Sequence, residues 1–241
     1  MTHTIEVTAL SKSYGSHAAL RDVTFAVAPG TVYGLIGPNG AGKTTTLAIL
    51  AGLLKQTAGE AAVAADPKRI GFYSPRYALF DYLTGREILL TCARLQGVPR
   101  GEVESRTADL LTLLDLESAA DHYVYEYSHG MRQKLGLATA LIHAPEVLLL
   151  DEPFDGLDAA SVYRLLGTLR TMARHGRTVL LTSHDLSLVE RVCDRVGILH
   201  NGTIAREFDL AGGETRSPAG DLENLMWQVV GTPEYEELTW I

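Results

Sequence analysis

Residues 5–10 and 20–27 alternate apolar and polar side chains, the period-two pattern of half-buried antiparallel strands. Pro29-Gly30 then turns the chain into an apolar run over residues 31–36, which feeds directly into a glycine-rich loop. Residues 44–54 carry helical periodicity, and Val63 and residues 70–73 read as two further short strands. From about 80 to 144 the pattern is helical, and Thr84-Gly85-Arg86-Glu87 matches a capping box ahead of an apolar face. After Pro145, strand and helix patterns alternate: 147–150, a helix near 159–175, 178–182, another helix, then 196–199. Such alternation predicts a parallel sheet. Asn201-Gly202 between Gly197-Ile198-Leu199 and Thr203-Ile204-Ala205 predicts a tight hairpin and so an antiparallel edge. A loop over 212–220, a helix over 222–230 and a tail with Glu234, Glu236 and Glu237 among aromatics complete the pattern.

Composition narrows the class. A chain of 241 residues, 46% hydrophobic and 21% charged, can bury a substantial core and fits one large domain carrying a subdomain. No Pro, Ser or charge run is long enough for a disordered arm. Lys and Arg number 21 against 29 Asp and Glu, a net charge of −8, so the chain as a whole lacks the basic footprint of a nucleic-acid binder. Its start lacks the basic and continuous apolar segments of a secretory signal, so the chain is expected to stay in the cytoplasm. The longest apolar neighbourhood, 135–150, is broken by Thr139, His143, Pro145 and Glu146 and falls short of the roughly 20 residues a spanning helix needs. Cys92 and Cys193 are far apart and have no ligand-like neighbours, so they read as packing residues and not as a zinc or disulfide framework.

Three strand ends carry the candidate chemistry. Gly37-Pro38-Asn39-Gly40-Ala41-Gly42-Lys43-Thr44 fits the P-loop pattern and lies, as that loop must, between an apolar strand and a helical run, with Thr45 following. Glycines let successive N–H groups converge on phosphate oxygens, the helix N-terminus adds its dipole, Lys43 reaches the terminal phosphates, and Thr44 offers a hydroxyl to Mg²⁺. A nucleoside triphosphate is implied. The apolar run 147–150 ends in Asp151-Glu152, with Asp151 placed to anchor the metal and Glu152 to polarise the attacking water. The run 178–182 ends in Ser183-His184-Asp185. Ligands of open α/β sheets sit beyond the carboxyl ends of strands, so Lys43, Asp151 and His184 are expected to converge, with His184 at the terminal phosphate.

Tyr127-Ser128-His129-Gly130-Met131-Arg132-Gln133 resembles the signature motif of ABC nucleotide-binding domains, placed shortly before the Asp151-Glu152 strand as in that family. The resemblance covers residues 5 to about 230. It implies an α/β fold: a P-loop NTPase core with a mixed, mainly parallel sheet, an antiparallel β subdomain and a helical insertion over about 80–144, in a domain of residues 1–230 followed by a tail, 231–241. It also implies that Tyr14 stacks on adenine, that Phe154-Asp155-Gly156-Leu157-Asp158 is the D-loop, and that His184 is the switch histidine. ATP and Mg²⁺ are the implied ligands. Two chains would pair head to tail, as a homodimer or with a second nucleotide-binding subunit, so that Ser128, His129, Gly130 and Met131 act in trans on the partner's nucleotide. Ser128 can also cap the helix it precedes and aim that helix's positive end at a phosphate.

Two departures from the family pattern stand out. His129 and Met131 replace a glycine and the glutamine, and the resulting Tyr-Ser-x-Gly-Met resembles the ABC-2-type exporter branch, as does Leu83-Thr84-Gly85-Arg86-Glu87. Ser74-Pro75-Arg76 stands where the family puts a metal-contacting glutamine, and neither Pro nor Arg can act as a neutral amide ligand. Arg76 fits a solvated charge or a role toward phosphate or a partner. In the family the surface after this loop grips a short helix of the transmembrane subunit; Tyr77, Phe80, Tyr82 and Leu83 lie there. The resemblance implies an ATP-hydrolysing subunit on the cytoplasmic face of the cell membrane, serving a separate transmembrane partner and no nucleic acid. The alternatives are a soluble non-transport ATPase of the same family and a regulatory subunit with low turnover.

Overall fold

Parity along short apolar strands divides the interior in two. The computed structural model describes residues 3–210 and 221–231. Its strands are Ile5–Tyr14 (β1), His17–Val27 (β2), Val32–Ile36 (β3), Ala58–Val63 (β4), Ile70–Tyr73 (β5), Val147–Leu150 (β6), Thr178–Thr182 (β7), Arg195–His200 (β8) and Thr203–Asp209 (β9). Six of them form one sheet in the order β5-β6-β7-β3-β8-β9, parallel except for β9. In β6, Leu148 and Leu150 face one apolar cluster, while Val147 and Leu149 face the other. Burial on both faces is what an unbroken apolar run means in a parallel sheet.

One face is covered by helices Gly85–Leu95 (α2), Val103–Leu113 (α3), His129–Leu141 (α4), Ala159–Arg174 (α5) and Leu186–Val192 (α6). The other carries the antiparallel sheet β2-β1-β4 and helix Lys43–Leu50 (α1). Helix Asp221–Val230 (α7) packs near β8 and α6, and its Leu222 N–H donates to Glu190 of α6. The α2–α4 segment is inserted between β5 and β6, the two neighbouring strands at one edge of the sheet.

Several bounds differ from expectation for identifiable reasons. β1 and β2 run on to meet at Gly15, because their outer halves are exposed and show no alternation although the backbones still pair through Tyr14 and His17. β4 begins at Ala58 and not near Val63, since it is mostly exposed and is held by pairing with β1. α1 stops at Leu50 instead of 54. Gly52 takes φ +72, and the N–H groups of Gly52 and Leu53 return to the Ile49 and Ala48 carbonyls, a Schellman closure. The Asn201-Gly202 turn has φ of +48 and +78, the left-handed pair that matches strand twist in a two-residue hairpin. The proposed 212–220 loop and the acidic tail lie outside the described residues, Gly231 apart. Among those described, both cysteines are free, Cys193 buried and Cys92 half-buried against the same core. No described helix is long and apolar enough to cross a membrane.

The capping box forms in full: the Glu87 N–H donates to Thr84 Oγ1 at 3.1 Å, and the Thr84 N–H to Glu87 Oε2 at 2.9 Å. It fixes the start of the inserted helices. Thr84→Ala is expected to lower stability by about 1 kcal/mol in urea unfolding, and Thr84→Ser to retain most of it. An alanine variant with the wild-type midpoint would show that the box does not hold α2.

Candidate functional site

Because β3, β5, β6 and β7 are parallel neighbours, their carboxyl ends deliver the candidate residues to one rim of the sheet. The loop 37–42 leaves β3 there. Gly37 adopts φ +145 with its Cα against the Leu199 carbonyl, and Gly42 adopts φ +111 where a Cβ would come within 2.7 Å of the Ala19 carbonyl and 2.5 Å of Leu20. Only glycine fits either position. No side chain caps α1 at Gly42, so its first N–H groups remain available to an anion. Tyr14, His17, Asn39, Gly40, Ala41, Gly42, Lys43, Thr44 and Thr45 line a cavity of about 400 Å³ with Pro75, Arg76, Asp151, Glu152 and Asp155. Gly37 and Pro38 contribute from behind, since their carbonyls accept from Lys43 Nζ at 2.7 and 3.3 Å.

Asp151 is only 2% exposed. Three hydroxyls donate to its carboxylate: Thr44 at 3.1 Å and Thr182 at 2.9 Å on Oδ1, and Ser74 at 2.9 Å on Oδ2. These bonds offset the cost of burying the charge. Glu152 follows with φ +47, a left-handed backbone uncommon for a residue with a side chain, and its N–H donates to Thr182 Oγ1. The turn swings its carboxylate away from Asp151 toward Lys43, 3.9 Å away, and His184. His184 meets Glu152 Oε2 twice, through Nδ1 at 3.0 Å and its backbone N–H at 3.2 Å, and its Nε2 lies 3.7 Å from Asp155. Burial raises the Glu152 carboxyl above the ordinary carboxylate range, partly opposed by Lys43 and His184. Burial likewise lowers the Lys43 ammonium, against the pull of Glu152 and Asp151.

Ser128, His129, Gly130 and Met131 do not line this cavity. Ser128 caps α4, accepting from the Met131 N–H at 3.3 Å, as expected. Gly130 passes the D-loop so closely that a Cβ would sit 2.7 Å from the Gly156 carbonyl. Lys134 Nζ binds Asp158 at 2.7 Å, and together with Ser161 it holds the Asp158 carboxyl well below the usual range. Leu157 packs against the helical core. The signature helix and the D-loop of one chain are thus clamped together, with Asp155 of the D-loop on the rim of the P-loop cavity and Ser128, His129, Gly130 and Met131 outside its lining.

Sequence reasoning missed Ser74 and Lys134. Ser74 carries no signal in the sequence because the family pattern at this point is an amide, and Lys134 carries little because a lysine on a polar helix reads as solvated. Its only sequence signal is an acidic residue in the following D-loop. A second cavity, of about 390 Å³, opens between the end of β5 and α4, lined among others by Phe72, Tyr73, Tyr77, Arg132, Gln133 and Gly136.

A glycine-wrapped loop between β3 and α1, over a buried carboxylate at the end of β6, defines a P-loop nucleotide-binding protein. Comparison with known proteins refines the class. The family model described as ABC transporter matches residues 20–155. An uncharacterized ABC transporter ATP-binding protein, YxlF of Bacillus subtilis (strain 168), is 39% identical over 210 residues, covering 86% of this chain and 71% of its own. The Nod factor export ATP-binding protein I of Paraburkholderia xenovorans (strain LB400) is 38% identical over 207 residues, covering 82% and 68%. Among solved structures, a dimeric post-hydrolysis state of the ATP-binding cassette MJ0796 bound to ADP and Pi superposes with a TM-score of 0.79 at 26% identity, over 86% of this chain and 99% of that one. The chain belongs to the ABC transporter family, as an ATP-binding subunit of the ATPase type.

The Glu152 contacts make a signed prediction. His184 and Lys43 both lower its pKa, so His184→Ala should raise it further in carboxyl-carbon NMR titration of the nucleotide-free chain. Because the folded value already lies above the unfolded one, Glu152 contributes stability at acid pH that is lost as pH rises through the folded value. A Glu152 titration unmoved by His184→Ala would contradict the contact.

Proposed function

We propose that the chain hydrolyses ATP in a site completed by the signature helix of a second nucleotide-binding chain, and that the closing of this pair drives a separate transmembrane subunit. Residues 1–230 act as one nucleotide-binding domain, with the 80–144 insertion as the part that faces the partners. The separation of Ser128–Met131 from the chain's own P-loop cavity carries the reading. Capped by Ser128 and uncovered at its N-terminus, α4 is available to a phosphate held by another chain, while Tyr14 offers its half-exposed ring to adenine. The dimeric, ADP- and Pi-bound relative is consistent with such a pairing.

Thr44 and Asp151 would hold Mg²⁺, and their hard oxygen donors, 3.1 Å apart, suit that ion. When bound, it neutralises charge on the phosphate oxygens. Lys43 and the N–H groups of the loop bind and orient the phosphates. Glu152, fixed by His184 and turned into the cavity, accepts the proton of the water that attacks the terminal phosphorus as the bond to ADP breaks. Its raised pKa suits a base better than an ordinary carboxylate does, and the rate falls as acid protonates it. His184, on the same carboxylate, positions the base and adjoins the terminal phosphate.

The groove between β5 and α4 is the proposed seat of the transmembrane subunit. Exposed Tyr77 lines it, exposed Phe80 and Tyr82 follow in the same segment, and the buried Tyr73 Oη and Gln133 Oε1 have no partner among the described residues. Such a partner places the chain at the cytoplasmic face of the membrane. The Tyr-Ser-x-Gly-Met signature and the relative named for Nod factor export favour export.

Turnover by the purified chain with its partner tests the chemistry. Glu152→Gln is expected to cut the rate about 100-fold or more while leaving binding of a fluorescent ATP analogue intact. A wild-type rate as slow as that of Glu152→Gln would instead make the chain a nucleotide-holding regulatory subunit, the reading that the glutamine-free Ser74-Pro75-Arg76 loop favours.

A further inference from the structure

Pro75 and Arg76 reach the nucleotide cavity from the end of β5, where neither can supply a neutral amide. We propose that Arg76 binds the terminal phosphate of the nucleotide in cis, so that this loop contributes a cation to the triphosphate. The proposal rests on the nucleotide site described above.

Position is set by strand register. Tyr73 pairs with Leu150 across β5 and β6, and the Asp151 N–H donates to the Tyr73 carbonyl at 2.8 Å. The next residue, Ser74, is bonded to Asp151, and its hydroxyl also accepts from the Arg76 N–H at 3.4 Å. Arg76 is therefore tied to the carboxylate rim of the cavity, with Asp151, Glu152 and Asp155, whereas Tyr14 and His17 enter the lining from the β1–β2 hairpin. That rim is where the triphosphate ends if the loop 37–44 holds its phosphates.

Charge supports the same assignment. Asp151, Glu152 and Asp155 line the cavity against Lys43, so bringing a triphosphate beside them is unfavourable unless further positive charge is present. Arg76 is exposed, and among the described residues it makes no ion pair, whereas Glu152 and Asp155, which share the cavity lining with it, pair with Lys43 and His184. A guanidinium is permanently charged and presents a planar fork of donors matched to phosphate oxygens. Unlike a neutral glutamine amide, it repels a metal ion. Its gain is therefore electrostatic and largest for the phosphate that ADP lacks.

The test is the affinity for ATP and ADP, by calorimetry on the full chain, with Mg²⁺ and with EDTA, for wild type, Arg76→Gln and Arg76→Lys. Arg76→Gln is expected to weaken ATP about 10-fold, to leave ADP within about 2-fold, and to show the larger ATP defect in EDTA, where no metal shares the charge. Arg76→Lys should recover part of the loss. Equal ATP affinities for wild type and Arg76→Gln would overturn the proposal, and loss of the membrane partner in that same variant would reassign Arg76 to the protein interface. A wild-type chain that binds neither nucleotide would overturn the site itself, a result distinct from selective failure of Arg76. The exposed position of Arg76 keeps the fold out of the comparison, and an unchanged melting temperature checks this.

Discussion

The buried carboxylate of Asp151 is the constraint on which the rest depends. A charge 2% exposed persists only where hydrogen bonds replace water, and here the three hydroxyl donors come from three segments: Thr44 after the P-loop, Ser74 after β5 and Thr182 at the end of β7. A parallel sheet is what makes that possible, since its strands all end on one side. Shifting any one of these strands by a residue would turn its side chains to the other face and strand a donor or the charge itself. The carboxylate therefore locks strand register at the point where chemistry is to occur. Glu152, one residue on, escapes the same hydroxyl cage only because the chain takes a left-handed turn.

A second coupling runs from this rim to the inserted helices. Glu152 is bound to His184, His184 adjoins Asp155, and the D-loop that follows is pressed on α4 by the Gly130–Gly156 contact and the Lys134–Asp158 pair. The buried lysine makes this more than a surface ion pair, because removing Asp158 would leave its charge stranded. One chain thus presents two rigid faces, a phosphate cradle and a capped helix. Ser128, His129, Gly130 and Met131 of that helix lie outside the lining of the cradle.

What could be read from the sequence was local. The P-loop string, the acidic pair after an apolar run, the capping box of Thr84 and Glu87, and Asn201-Gly202 each specify a backbone conformation within a few residues, and each forms as expected. β4 and the outer half of β1 were harder to read because pairing, not burial, holds them; a strand with mostly exposed side chains leaves no alternation to detect. Ser74 and Lys134 escaped for a related reason. Their roles depend on partners 77 and 24 positions away in the chain, Asp151 and Asp158, which only the fold brings near. The stop of α1 was legible in principle, since Gly52 is the glycine a Schellman closure requires.

The proposed coupling of ATP hydrolysis to a separate transmembrane subunit requires that the two proteins bind each other. The most direct measurement is affinity purification of tagged Glu152→Gln chain from detergent-solubilised cells in ATP and Mg²⁺, with co-purifying proteins identified and their stoichiometry measured. The expected result is a polytopic membrane protein in fixed ratio to the chain, lost when Tyr77 and Tyr82 are replaced by serine. A soluble dimer alone, or one carrying ribosomes or nucleic acid, would contradict it.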